Sequence, residues 1–143
     1  MEHILIINLF TSFFLCGLIW VVQLVHYPFF KFVSGETFET AMGFHRKKIS
    51  FIVVPVMFAE LLSSFWLSLF SSTYSSYHIA GFVIVLLIWG VTFTTQVPLH
   101  GKLIRSSGSD VINKLVRSNW IRTAFWSAKA GIGIWLLKQI ITS

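Results

Sequence analysis

ISFIVVPVMFAELLSSFWLSLF, residues 49–70, decides the fold of this chain. About 20 mostly apolar residues are needed to cross the hydrocarbon core of a membrane. This stretch supplies them with a single charge, Glu60, in its middle. A carboxylate at that depth is costly, so it normally faces a bundle interior and finds a partner there. The stretch therefore predicts a membrane helix and, equally, other helices packed around it.

Three further runs qualify. Ile4 to about His26 contains no Asp, Glu, Lys or Arg, and Ile79–Leu99 contains no charge. Trp120–Leu137 carries Arg122 near its start and Lys129 in its middle, but Ser127, Ala128, Ala130, Gly131 and Gly133 suit close helix packing in lipid. The first run lacks a basic leader and a small-residue cleavage pattern, so it reads as a retained span rather than a signal peptide. The composition agrees: of 143 residues 55% are hydrophobic and only 11% charged, where a soluble domain has roughly 25% charged. The fold class is thus all-α, one domain over 1–143, an integral membrane four-helix bundle.

The loops give the topology. Tyr27–Lys48 carries Lys31, Arg46, Lys47 and Lys48, and His100–Asn119 carries Lys102, Arg105, Lys114 and Arg117. Ser71–His78 has no Lys or Arg. The positive-inside rule puts the basic loops in the cytoplasm and both termini outside. The expected location is a bacterial inner membrane. The net charge of +6 reflects these loops and predicts no nucleic-acid partner. The expected partners are membrane lipids and a hydrophobic small molecule, and a homo-oligomer is compatible with the pattern. Ser34 can cap a short cytoplasmic helix, roughly Glu36–Phe44, that runs on towards the second span. Ser106–Asp110 reads as a turn and Val111–Ser118 as helix.

Polar residues recur at helical spacing inside the spans. Trp89, Thr92, Gln96 and His100 form one stripe. Ser12, Cys16, Trp20, Gln23 and Tyr27 form another, with His26 three beyond Gln23. Arg122, Trp126, Lys129 and Gly133 share a face of the last helix. Pro55 and Pro98 each free a backbone carbonyl, those of Phe51 and Thr94, and predict kinks.

Depth sorts these groups into two layers. At ~1.5 Å per residue, Glu60 is about 16 Å in from Ile49 and Lys129 about 13 Å in from Trp120. The pair predicts an ion pair that holds the bundle. His26, His100 and Arg122 lie together near the cytoplasmic mouth, with Gln23 and Gln96 a turn deeper. His26, His45 and His100 leave three roles open: interfacial hydrogen bonding, proton transfer, or binding of a metal ion. No two have a diagnostic ligand spacing. Trp20, Trp89 and Trp126 can line a slot for a flat ring.

The stretch Val91-Thr92, Val97-Pro98-Leu99-His100 and Leu103, followed by Asn119-Trp120-Ile121-Arg122-Thr123, resembles the anthrone-oxygenase-like family of small four-helix membrane proteins. That family tends to show a T…PLN…L element before its third loop and a W…N…RT element opening its last helix. Here His100 stands where Asn is usual, and Asn119 and Trp120 are adjacent. The resemblance is confined to the third and fourth spans. It implies oxidation of a phenolic polycyclic substrate by oxygen. A His base, His100 or His26, removes a proton and the resulting carbanion reacts with oxygen. Gln23, Gln96, Asn119 and Arg122 then orient the substrate, and Trp20 and Trp89 line its slot. The cofactor is either none or a metal ion held by His26, His45 and His100. Two other functions fit the same residues: a non-catalytic lipid or solute binding or transport module, and a structural membrane subunit.

Overall fold

In lipid every backbone N–H and C=O must be satisfied within the chain, so long apolar runs are obliged to form helices. The computed structural model describes residues 1–33, 37–105 and 109–142. Among them it shows four helical rods and no strand. Helix α1 covers Glu2–Val21 and continues through a π-helical turn, Val22–His26, and short turns to Phe32. Helix α2 covers Thr37–Phe70, and α3 covers Ser75–Val91. A second π-helical turn, Thr92–Gln96, carries α3 into an extension, Val97–Arg105. Helix α4 covers Ser109–Thr142.

Three stretches, Glu2–Phe32, Thr37–Phe70 and Ser75–Leu103, are long and apolar enough to cross a membrane. Helix α4 equals α2 in length, at 34 residues, but is not among them, because charged and polar side chains interrupt it. It is held instead by packing. The rods pack in the cyclic order α1–α2–α3–α4–α1, so α4 lies along both α1 and α3. Gly133 makes the α1 contact close: a Cβ there would sit 3.2 Å from Leu9 and 3.3 Å from Phe13. The α2–α3 turn passes through Tyr74 in a left-handed conformation (φ 57°). Tyr77 stacks on Trp135 at 3.8 Å between ring centres, so this turn and the end of α4 share one end of the bundle.

The other end differs from expectation. The segments read as loops, 27–48 and 100–119, are mostly helix. At ~1.5 Å per residue α2 is about 50 Å long, against about 30 Å of hydrocarbon. The surplus forms an extension beyond a membrane-length span, with one apolar face packed inward, as in amphipathic helices. The helix expected in loop one runs on into the second span, as the first turns of α2. Val111–Ser118 likewise belongs to α4. Ser34 and Glu36, and residues 106–108 of the expected turn, lie outside the described residues.

Two apolar cores result. One lies among the apolar spans and includes Leu15, Ile19, Met57, Ile88 and Trp126. The other fills the extension and includes Tyr27, Phe30, Phe38, Met42, Leu103 and Leu115. The two π turns lie at their boundary, and each is followed two residues later by proline, Pro28 and Pro98. Proline lacks an N–H and crowds the carbonyl four residues back. The extra residue of a π turn shifts that carbonyl, and such turns recur at functional sites. Pro55, by contrast, sits inside an uninterrupted α2.

Candidate functional site

The deeper polar layer is closed. Glu60 is fully buried and Lys129 is 4% exposed, and Lys129 Nζ lies 3.1 Å from Glu60 Oε1. Lys129 also donates to Asn8 Oδ1 at 3.0 Å and Ser12 Oγ at 3.2 Å. Ser12 donates to Glu60 Oε1 at 2.8 Å, and Thr11 donates to Glu60 Oε2. Asn8 Nδ2 reaches Ser63 and Ser64 at 3.0 and 2.9 Å. Gly81 opens a seat for the lysine stem, since a Cβ there would lie 3.3 Å from Lys129 Cε. Ser64 flanks Glu60 at helical spacing in the sequence, and Asn8, Thr11 and Ser63 are additions to that reading. Their signal is faint: small polar residues, at helical spacing, facing one buried carboxylate.

The second layer is open. A cavity of about 290 Å³ lies where the four rods meet the extension, close to the roughly 300 Å³ at which ligand pockets begin. Its inner walls are apolar, with Leu15, Ile19, Met57 and Trp126 among them. Its polar wall is Tyr27, His45, Gln96, His100 and Arg122. On one side the lining residues Val54 and Phe58 of α2 and Phe93 and Val97 of α3 are also exposed on the outer surface. Trp89 lines the cavity as expected from its stripe, as do Thr92, Gln96 and His100.

Arg122 anchors the polar wall. It is 7% exposed and donates from Nη1 to Asn119 Oδ1 at 3.1 Å. Asn119 Nδ2 donates to Gln23 Oε1 at 2.8 Å, and Gln23 Nε2 to the Val116 carbonyl at 3.2 Å. Gln23 and Asn119 therefore stand behind Arg122 and hold it, and they are not among the residues lining the cavity. Arg122 also interacts electrostatically with the Tyr27 hydroxyl, which in turn meets His100 Nε2 at 3.0 Å. Among the described residues no carboxylate pairs with Arg122. A buried cation left in that state is costly.

The histidines form a row of rings. His26 Nε2 and His45 Nδ1 share a hydrogen bond of 2.6 Å, and the His45 and His100 ring centres are 6.2 Å apart. Phe30 sets its edge against His26 and His45, with ring centres 5.3 and 5.1 Å away. His26 does not line the cavity; it backs His45, which does. Among the described residues no three His, Cys, Asp or Glu side chains are arranged to hold a metal ion. The direct His26–His45 bond places those two nitrogens against each other rather than around a common centre.

Trp20 faces away from this cavity. It is 39% exposed, donates to Ser127 Oγ at 3.1 Å and sets its ring edge-on to Trp120. The reason is angular. Two steps of four residues from Ser12 turn the helix about 80° beyond two full turns, which carries Trp20 off the buried face of Ser12, Leu15 and Ile19. Trp126 takes the inner position instead and is almost fully buried.

Four buried side-chain polar atoms have no hydrogen-bond partner among the described residues: Trp89 Nε1, Gln96 Oε1, His100 Nδ1 and Arg122 Nε. All four belong to residues that line the cavity. Buried polar groups are satisfied in the great majority of cases, so their concentration in the residues around one volume sets that volume apart from the closed layer. Comparison with protein-family models, with curated proteins and with solved structures finds no match for this chain.

Proposed function

We propose that the cavity binds a flat, largely apolar molecule bearing phenol or quinone-type oxygens, and that the protein oxidises it with oxygen. The observation that carries this reading is that the buried polar atoms without partners, among the described residues, all belong to side chains that line one otherwise apolar cavity. Trp89 Nε1 and Arg122 Nε are donors suited to ligand oxygens, and Gln96 Oε1 is an acceptor suited to a hydroxyl. Trp126 and Met57 offer apolar surface to rings.

His100 is the base. With its proton on Nε2 and donated to the Tyr27 oxygen, its Nδ1 keeps a free lone pair. Removing a ligand proton creates a carbanion or phenolate, and the unneutralised Arg122 guanidinium favours that anion. Oxygen is the co-substrate: it adds to the carbanion carbon, the peroxide takes back the proton held by His100, and the hydroperoxide loses water, its O–O bond and the remaining C–H bond breaking, to leave a carbonyl. The likeness of the third and fourth spans to the anthrone-oxygenase-like family supports the same chemistry. The basic end of the bundle faces the cytoplasm of a bacterial inner membrane by the positive-inside rule. Cysteines placed at Ser75 and Ser107 test that orientation: only position 75 should label from outside intact cells, and labelling at 107 would reverse it.

The functional test uses the protein in phosphatidylcholine nanodiscs with a hydroxyanthrone. Saturable quenching of tryptophan fluorescence is expected, together with oxygen uptake. His100→Ala should lower oxygen uptake by roughly 100-fold or more, the scale of a general base. Quenching without oxygen uptake by the wild-type protein would leave a binding or transport module and overturn the oxidation step. Absence of both would remove the site.

A further inference from the structure

A second concavity lies outside the bundle, between the α3 extension and α4, and gathers cations. It has a volume of about 540 Å³ and is lined by Lys102 from the extension and Lys114 and Arg117 from α4, beside Thr95, Pro98 and Leu99. Lys114 and Arg117 are three residues apart on one face of α4, and Thr95, Leu99 and Lys102 recur at steps of four and three on the facing helix. The three basic side chains are exposed. Among the described residues the one ion pair is Lys129–Glu60, so no described carboxylate is paired with the cations of the groove.

Its level in the bundle is informative. The apolar run of α3 ends at Leu99 and that of α4 begins at Trp120. The groove therefore straddles the membrane–water boundary. Its apolar wall, Pro98 and Leu99, continues the lipid-facing surface, and its cations lie beyond it. Basic pockets between helices at this level suit lipid headgroups, and charged N–H donors make strong, short bonds to phosphate oxygens.

We propose that this groove binds the phosphate of an anionic phospholipid headgroup. Two ammonium groups and one guanidinium face the phosphate oxygens, Thr95 adds a hydroxyl, and one acyl chain runs back along the outer surface of α3. The site is separate from the cavity of the proposed oxidation and stands whether or not that reading holds.

Native mass spectrometry of the detergent-solubilised full chain tests it, with dioleoyl phosphatidylglycerol, dioleoyl phosphatidylcholine and inorganic phosphate as probes. Phosphatidylglycerol should bind at least about tenfold more tightly than phosphatidylcholine, since each basic residue near an anionic headgroup is worth about fivefold. The triple variant Lys102→Gln, Lys114→Gln, Arg117→Gln should lose that preference. A control triple with the same charge change, Lys31→Gln, Lys47→Gln, Lys48→Gln, should keep it within about twofold. Circular dichroism checks that both triples keep their helix content. If the groove triple is unstable, the single Lys102→Gln and Arg117→Gln variants carry the test, each with a loss of about fivefold. Equal losses in both triples would reduce the effect to general charge attraction and overturn the site. So would no loss in either, or displacement of phosphatidylglycerol by equimolar inorganic phosphate, which would make the occupant a free anion.

Discussion

Lys129 and Arg122 are both buried cations on α4, seven residues apart and on the same face, yet they live differently. Lys129 meets a carboxylate at 3.1 Å and two further acceptors, Asn8 and Ser12. Arg122 has only neutral partners, Asn119 and Tyr27, and keeps one N–H without any. The first arrangement is complete and leaves nothing for a ligand to satisfy. The second is incomplete by the same accounting and borders a cavity. Polarity in a membrane bundle therefore does not itself mark a functional site, and the proposed ligand site rests on unmet polarity beside open volume.

The sharpest way to break this contrast is to open the closed layer. Lys129→Met strands the Glu60 carboxylate and should cost about 3–5 kcal/mol, the scale for removing one partner of a buried pair. Unfolding by denaturing detergent measures it. Adding Glu60→Leu should recover a large part of the loss. A double variant as unstable as the sum of the two singles would show that the charges are not coupled.

His100→Ala probes the open layer and should behave in the opposite sense. It removes one hydrogen bond, to Tyr27, so the stability loss should be about 1 kcal/mol. Hydroxyanthrone affinity should nonetheless fall by about tenfold or more, the worth of a buried polar contact to a ligand. Loss of fold without specific loss of binding would place His100 with Glu60 and Lys129 as a structural group.

A smaller effect separates two chemically identical side chains. Trp89→Phe removes an unpartnered cavity N–H and should weaken hydroxyanthrone binding severalfold, consistent with one hydrogen bond of about 1 kcal/mol. Trp20→Phe removes an N–H already bonded to Ser127 at the outer surface, and ligand affinity should stay unchanged. The smallest effect is expected from Phe10→Leu. Phe10 is exposed near the far end of α1, so both unfolding and ligand titration should match the wild type. A change in ligand affinity there would mean that the site extends well beyond the cavity described.

Much of the fold and the site was legible in the sequence where spacing and charge speak together. The α3 stripe of Trp89, Thr92, Gln96 and His100 lines one cavity, partly because the π turn over Thr92–Gln96 suits steps of four. Glu60 and Lys129 stand out because a charge in an apolar run has few explanations. The α1 stripe misplaced Trp20 because steps of four drift on a regular helix, and the π turn over Val22–His26 then rotates the residues beyond it. Tyr27 sat on that stripe, but its bridge between Arg122 and His100 depends on the turn. The segments read as loops were polar on average. Their apolar positions, Phe38 and Met42 on one side and Leu103, Ile112 and Leu115 on the other, form a core only once the rods are placed together.

The rim of the cavity at Val54, Phe58, Phe93 and Val97 is apolar and exposed on the outer surface, whereas Phe30, Met42, Leu103 and Leu115 are buried in the core of the extension. For the ligand proposed above, in a bundle embedded in a membrane, the route that costs least desolvation of the protein is therefore sideways, out of the bilayer. A ligand arriving that way diffuses in two dimensions, and its occupancy follows its mole fraction among the lipids rather than its molarity in water. Adding empty lipid at fixed total ligand then lowers occupancy although no competitor has been introduced. Compounds of equal intrinsic fit rank by how strongly they partition into the membrane.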